Sequence, residues 1–271
     1  MKKNRRVGAL IDELMRNPGK LYDSKHFCEK FDIAKSSFSE DIKMANEIFE
    51  ENGSGHIESV SGVGGGIKYV PGISKEKIVK LQNQLIEMLS DPHRLLGGGF
   101  IYTSDIMYDG SLVQNMARIF AEKFSNHKAD YVVTVEAKGI PLAAQVALML
   151  NLPLVVIRRE SMYSEGSTVS INYISGSTQS IGKISLAKRA VENGSKAIVI
   201  DDFMKEGGSL KGVVDILKEF DIETVGIAVA IEAGKLHAKM IGKYFSIVVI
   251  NEIDELGRKI RVSANDALFL E

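Results

Sequence analysis

The strongest chemical signal in the chain is Val199-Ile200-Asp201-Asp202-Phe203-Met204-Lys205-Glu206-Gly207-Gly208-Ser209-Leu210. Two carboxylates end a β-branched run, and a glycine turn then opens into a helical pattern. Asp201 and Asp202 can accept hydrogen bonds from a pair of vicinal hydroxyls. The backbone N–H groups of Lys205 to Ser209 gather at the start of that helix, where bare donors and the helix dipole favour a phosphate. Together these groups suit a ribose held by its hydroxyls and its 5′-phosphate. Two acids and two glycines could also form a mere solvated turn, but their place at a strand end speaks for the site.

This loop resembles the phosphoribosyl-pyrophosphate (PRPP) signature of the type I phosphoribosyltransferases. Glu136-Ala137-Lys138-Gly139, after the run Tyr131–Val135, is similar to the pyrophosphate loop of that family. Lys138 supplies a point charge, and Ala137 and Gly139 let the backbone approach. Arg158 and Arg159 end the next run, and each could reach the pyrophosphate or only frame the sheet. Ser161–Ser180, rich in Ser, Gly and Thr, looks like the family's flexible flap. Tyr102 could stack on a ligand's base or sugar edge, or pack in the core. The family's enzymes have threonine where this chain has Glu206. A carboxylate close to a phosphate would cost on the order of 1–4 kcal/mol. Glu206 is therefore expected to point outward while its backbone N–H still donates; otherwise PRPP binds weakly.

The elements that must position these loops are short β-branched runs at Phe100–Tyr102, Tyr131–Val135, Leu154–Ile157, Lys196–Ile200, Thr224–Ile231 and Phe245–Ile250. Helical stretches at Ser111–Phe124, Pro141–Leu150 and Ser209–Phe220 lie between several of them. Buried strands alternating with helices predict an α/β domain with a mostly parallel twisted sheet, covered on both faces. Ligands in such folds bind at the carboxyl ends of the strands.

The first seventy residues follow another pattern. Val7, Leu10, Ile11 and Leu14 predict an amphipathic helix over Arg5–Arg16, stopped at Asn17-Pro18-Gly19. Asp23 or Ser24 can cap a second helix that buries Phe27 and Phe31. After Asp32-Ile33-Ala34 comes a third helix, with Ser37 and Glu40 spaced as a capping box. Phe38, Ile42, Ala45 and Phe49 share its apolar face. His56–Ser61, the glycines from Gly62 to Gly66 and Ile67–Val70 read as a hairpin. The sum is a winged helix-turn-helix, a small α+β unit that offers its third helix to the major groove. Lys35, Ser36, Ser37, Ser39 and Lys43 on that helix, with Lys68 on the hairpin, are the candidate contacts to DNA. Lys2, Lys3, Arg5 and Arg6 are expected to form a basic arm for phosphates or the minor groove. Glu40 could accept from a cytosine amino group or repel phosphate. Residues 1–73 hold 11 basic and 11 acidic side chains, so this module should bind weakly without a partner domain or a second copy.

Ile73-Ser74 opens a further helix, Lys75–Ser90, and the boundary falls near residue 73: a winged domain over 1–73 and a PRPP-binding domain over 74–271. Taken whole, the winged module, Glu165–Ser170, Asn172-Tyr173 and Asp201–Lys205 resemble the purine operon repressor family of Gram-positive bacteria. The resemblance covers nearly the entire chain and thins after about residue 232. It implies a homodimer on operator DNA of purine genes and PRPP as an effector rather than a substrate. No cofactor is then required, although Mg²⁺ could accompany PRPP, and no catalytic or metal-ligating residue is assigned.

Composition limits the alternatives. The 271 residues carry a net charge of −1, and no apolar run approaches the ~20 residues that span a bilayer. A single cysteine, Cys28, excludes an internal disulfide and suits a buried thiol in a reducing cytosol. Three other functions remain open. The chain could be an active purine phosphoribosyltransferase with an accessory domain, an activator built from the same parts, or one that uses its first domain for protein docking.

Overall fold

Val7, Leu10 and Leu14 are buried on one face of α1 (Lys3–Arg16), as their spacing requires. This computed structural model describes residues 1–160, 163–174, 181–233 and 241–269. Asp23 caps α2 (Ser24–Phe31) by accepting from the Lys25 N–H, and Asp32, in the left-handed region, closes it. α3 (Lys35–Glu51) then starts on Ala34 without any side-chain cap. The expected Ser37–Glu40 box is therefore absent. Asp32 turns the chain so early that Ser37 already lies inside the helix.

The hairpin forms from β1 (Gly55–Val60) and β2 (Gly66–Pro71), with Glu58 opposite Lys68. Tyr22 adds a bridge to Ile67, so the loop after α1 is tied to the hairpin. Phe27 stacks on Phe38 at 5.3 Å and Phe49 on Tyr69 at 4.4 Å, joining three helices and the hairpin in one small core. Cys28 is half-buried beside that core rather than enclosed in it.

α4 (Lys75–Leu89) belongs to a second core, with Ile78, Leu81, Leu85 and Leu89 inward. Two short strands follow, β3 (Leu95–Leu96) and β4 (Phe100–Ile101), paired only with each other. Phe100–Tyr102 is thus not a strand of the main sheet, because Gly98 and Gly99, both at positive φ, turn it back on Leu95–Leu96. Short α5 (Ser104–Met107) and long α6 (Gly110–Phe124) lead into the sheet.

The main sheet contains β5 (Tyr131–Val135), β6 (Leu154–Ile157), β9 (Lys196–Met204), β10 (Glu223–Ala233), β11 (Phe245–Asp254) and β12 (Lys259–Ala264). α7 (Ile140–Leu150) joins β5 to β6, and α8 (Gly208–Lys218) joins β9 to β10. An antiparallel hairpin, β7 (Thr168–Ile174) with β8 (Ile181–Ala187), lies between β6 and β9 in sequence. The order is β12-β11-β10-β9-β5-β6, parallel except for β12. Alternate residues divide the two faces: Val132, Ile198 and Ile200 pack with α6 and α7, whereas Val133 and Val199 pack with α8 and the β7–β8 hairpin. No helix among the described residues is long and apolar enough to cross a membrane.

Candidate functional site

From β5 the chain steps outward to β6, and from β9 it steps the other way to β10 and β11. The order reverses between β5 and β9, and a crevice opens there at the carboxyl ends of the strands. Val133 and Val199 are register partners on these two strands. The loops that follow, Glu136–Gly139 and Asp201–Gly207, therefore emerge side by side. A pocket of ≈ 230 Å³ lies at this point.

Lys138, Asp202, Phe203, Met204, Lys205, Glu206, Gly207, Gly208 and Ser209 all line that pocket. Asp201 lies buried beneath it and accepts from the Asp202 N–H at 3.0 Å. Burial, followed by the charge of Asp202, pushes the Asp201 carboxyl well above the usual carboxylate range. Burial also raises Asp202, against the opposing pull of Asp201 and the positive charge of Lys138. Gly207 holds φ at +83° and caps α8 with no side chain. The first N–H groups of α8 have no intrahelical partner, as at any helix start, and their surplus of donors faces the pocket lining. Glu206 is half-buried and lines the pocket rather than standing out in solvent.

Ala137 and Gly139 do not line the pocket, but Gly139 lets its two loops meet. The Glu136–Ala137 peptide bond is cis. A Cβ on Gly139 would lie 2.5 Å from the Asp201 carboxylate and 2.6 Å from the Thr134 hydroxyl, so the two loops touch only because this residue is glycine. The Thr134 hydroxyl is buried and has no hydrogen-bond partner among the described residues.

Neither arginine lines the pocket, although the charge of Arg159 acts on Asp201 and opposes the rise of its carboxyl. Arg158 pairs with Glu136 at 3.2 Å and Glu165 at 3.6 Å, beside a separate cavity under the β7–β8 hairpin. Arg159 donates its backbone N–H to Glu136 at 2.7 Å and its guanidinium to the Tyr173 hydroxyl at 3.2 Å. Both are thus organised by Glu136, whose role no spacing in the sequence announces. Tyr102 is exposed and outside the pocket lining, which takes Phe100, Ile101 and Thr103 from the same segment. The triple glycine before Phe100 was the only sign of that hairpin. Of the segment expected as a flap, residues 161–162 and 175–180 lie outside the described residues; the rest includes β7, which pairs with β8 beyond the segment.

At the other end of the chain, Lys35, Ser36, Ser39 and Lys43 are exposed along α3, while Ser37 is half-buried. The Ser39 hydroxyl turns back to the Lys35 carbonyl at 3.0 Å. The expected basic arm is largely helical: Lys3, Arg5 and Arg6 lie in the first turn of α1. Arg6 holds the fully buried Asp41 with two hydrogen bonds, at 2.7 and 3.1 Å, and so locks α1 to α3. Lys3 reaches Glu40 at 3.0 Å and offsets its charge on the exposed face. Lys68 pairs across the hairpin with Glu58 at 3.1 Å. Lys2 and Arg5 are exposed. Asp41 could have been suspected as the one carboxylate on the apolar face of α3.

The family described as "Bacterial purine repressor, N-terminal" matches residues 2–71, and "Phosphoribosyl transferase domain" matches residues 104–258. The purine biosynthesis transcriptional repressor PurR of Bacillus subtilis is 38% identical over 98% of this chain and 94% of its own. The chain belongs to this family of purine regulators. A member from Lactococcus lactis, 34% identical over 97% of both chains, is named a transcriptional activator. Adenine phosphoribosyltransferase of Giardia lamblia aligns with a TM-score of 0.54 at 17% identity, over 65% of this chain and 98% of its own, which shows the shared fold.

Proposed function

We propose that this chain is a cytoplasmic transcription regulator of purine biosynthesis genes, a repressor that binds operator DNA as a homodimer and responds to PRPP. The phosphoribosyltransferase-like domain serves as the sensor rather than as an enzyme. One observation carries the reading: a pocket at the reversal of strand order combines an acid pair with the uncapped start of α8, in a chain that also has a winged module. The Asp201–Asp202 pair suits the ribose hydroxyls, the turn from Lys205 to Ser209 suits the 5′-phosphate, and Lys138 suits the pyrophosphate. Mg²⁺ would be an accompanying ion of PRPP. Through Ser36, Ser39 and Lys43, α3 meets the major groove, and phosphate contacts add affinity that falls with salt.

High PRPP signals demand for purine synthesis, so PRPP weakens the operator complex in this scheme. A mobility-shift titration tests it: operator DNA should be released as PRPP rises, and the double variant Asp201→Ala/Asp202→Ala should bind DNA yet ignore PRPP. An unresponsive wild-type complex at millimolar PRPP would end this proposal. Because one relative is named an activator, run-off transcription on the same template decides the sign.

A further inference from the structure

The junction between the two domains contains a second, larger cavity of ≈ 460 Å³, lined by both. Lys77, Lys80 and Gln84 face it from α4, and Ser111, Gln114, Asn115 and Arg118 from α6. On α6 these positions recur at i, i+3, i+4 and i+7, the spacing that usually carries the apolar stripe of a packed helix. Here that stripe is polar and opens on a void.

Arg118 donates to the carbonyls of Ser54 and Gly72 at 3.2 and 3.4 Å, and Lys77 to that of Asn52 at 2.8 Å. Lys80 has no ion-pair partner among the described residues. No carboxylate lines the cavity; Glu122, one turn beyond Arg118, bonds instead to the Ile73 N–H at 3.3 Å. Three cations set among amides and hydroxyls, in a chain of net charge −1, make a local anion site.

We infer that the α4–α6 groove binds a compact polyphosphate, free or as the phosphate end of a nucleotide, at a site distinct from the strand-end pocket. Its shape and surroundings favour a small anion over the DNA backbone. The groove is concave and adjoins the carboxyl end of α3, whereas Lys35–Lys43 lie at the amino end. Glu47, Glu50 and Glu51 intervene and repel a duplex. Because Gly53 and Ser54 come from the winged module and Lys80 and Arg118 from the other domain, an anion here senses their relative placement.

Equilibrium dialysis of the full chain with labelled pyrophosphate tests the assignment. Wild type should bind two equivalents per chain, Lys77→Gln/Lys80→Gln one, and Lys138→Gln the other one. Both lysines of the first variant are exposed, and a thermal melt checks that it folds. If that variant keeps the full wild-type stoichiometry, or wild type binds none, the inference fails. It fails equally if the variant keeps pyrophosphate but loses operator affinity with a shallower salt dependence, because the groove would then belong to DNA. Loss of an equivalent in the lysine variant alone would leave this site standing and remove the strand-end reading. Displacement by ADP well below the concentration of unlabelled pyrophosphate required identifies a nucleotide source; equal potency identifies the phosphate groups alone.

Discussion

Adding one methyl group at Gly139 should uncouple the two ligand loops. The Cβ of Gly139→Ala would stand 2.5 Å from the Asp201 carboxylate oxygen, where ordinary contact begins at 3.4 Å. One side must therefore retreat by about 0.9 Å to restore van der Waals distance. Asp201 and Thr134 are both buried, so they have little room to do so. Overpacking of this kind costs about 1–3 kcal/mol of stability. The retreat also carries Lys138 away from the phosphate it would meet. Moving unit charges from 4 to 5 Å loses about 0.8 kcal/mol at an effective dielectric of 20, and one misaligned hydrogen bond loses about 1 kcal/mol more. The sum is near 2 kcal/mol, roughly a 30-fold rise in Kd for PRPP. Calorimetry with PRPP and urea unfolding measure both quantities on one sample. Gly110→Ala is the control, since nothing lies within 4 Å of a Cβ there. Unchanged affinity and an unchanged unfolding midpoint in Gly139→Ala would refute the argument that this contact aligns the pocket.

Asp201→Asn should stabilise the fold while abolishing the PRPP response. The folded carboxyl titrates above its unfolded value, so its stabilising effect is complete below the unfolded pKa and disappears as pH rises through the folded one. The variant should lose that pH dependence and melt a few degrees higher at alkaline pH, for a gain of about 0.5–2 kcal/mol; an identical pH–stability curve counts against burial as the cause. Lys43→Gln should weaken binding to all DNA sequences and lower the salt slope by about one unit, with PRPP calorimetry unaffected; a sequence-selective loss would mean that Lys43 reads a base. Asp41→Asn should loosen α1 from α3, lowering the first unfolding transition and operator affinity together, whereas an intact melt with normal DNA binding would show that the Arg6 pair is dispensable.

Periodicity exposed much of the architecture because most helices and strands here bury one regular face. β5 and β6 match their apolar runs, and α1 to α4 follow theirs within a turn. β12 escaped because Lys259–Ala264 mixes charged and apolar residues on an edge strand, where only one neighbour demands a pattern. The acid loop was legible because its chemistry is contiguous. Arg158 and Arg159 were not, since their partners Glu136, Glu165 and Tyr173 come from three separate segments. The basic N-terminal segment misled for a related reason: four cations within five residues look free, and only the fold brings Asp41 and Glu40 to two of them.

Across the domain junction, the hydrogen bonds of the winged module end on its main chain, at the carbonyls of Asn52, Ser54 and Gly72 and the N–H of Ile73, and Gly19 lies against the backbone of Leu150. A seam built on one side from peptide groups is indifferent to most side-chain changes in the reading head. Lineages can therefore retarget α3 to new promoter sequences without refitting the phosphoribosyltransferase-like half, and chimaeras that exchange residues 35–43 should keep the thermodynamics of PRPP binding proposed above.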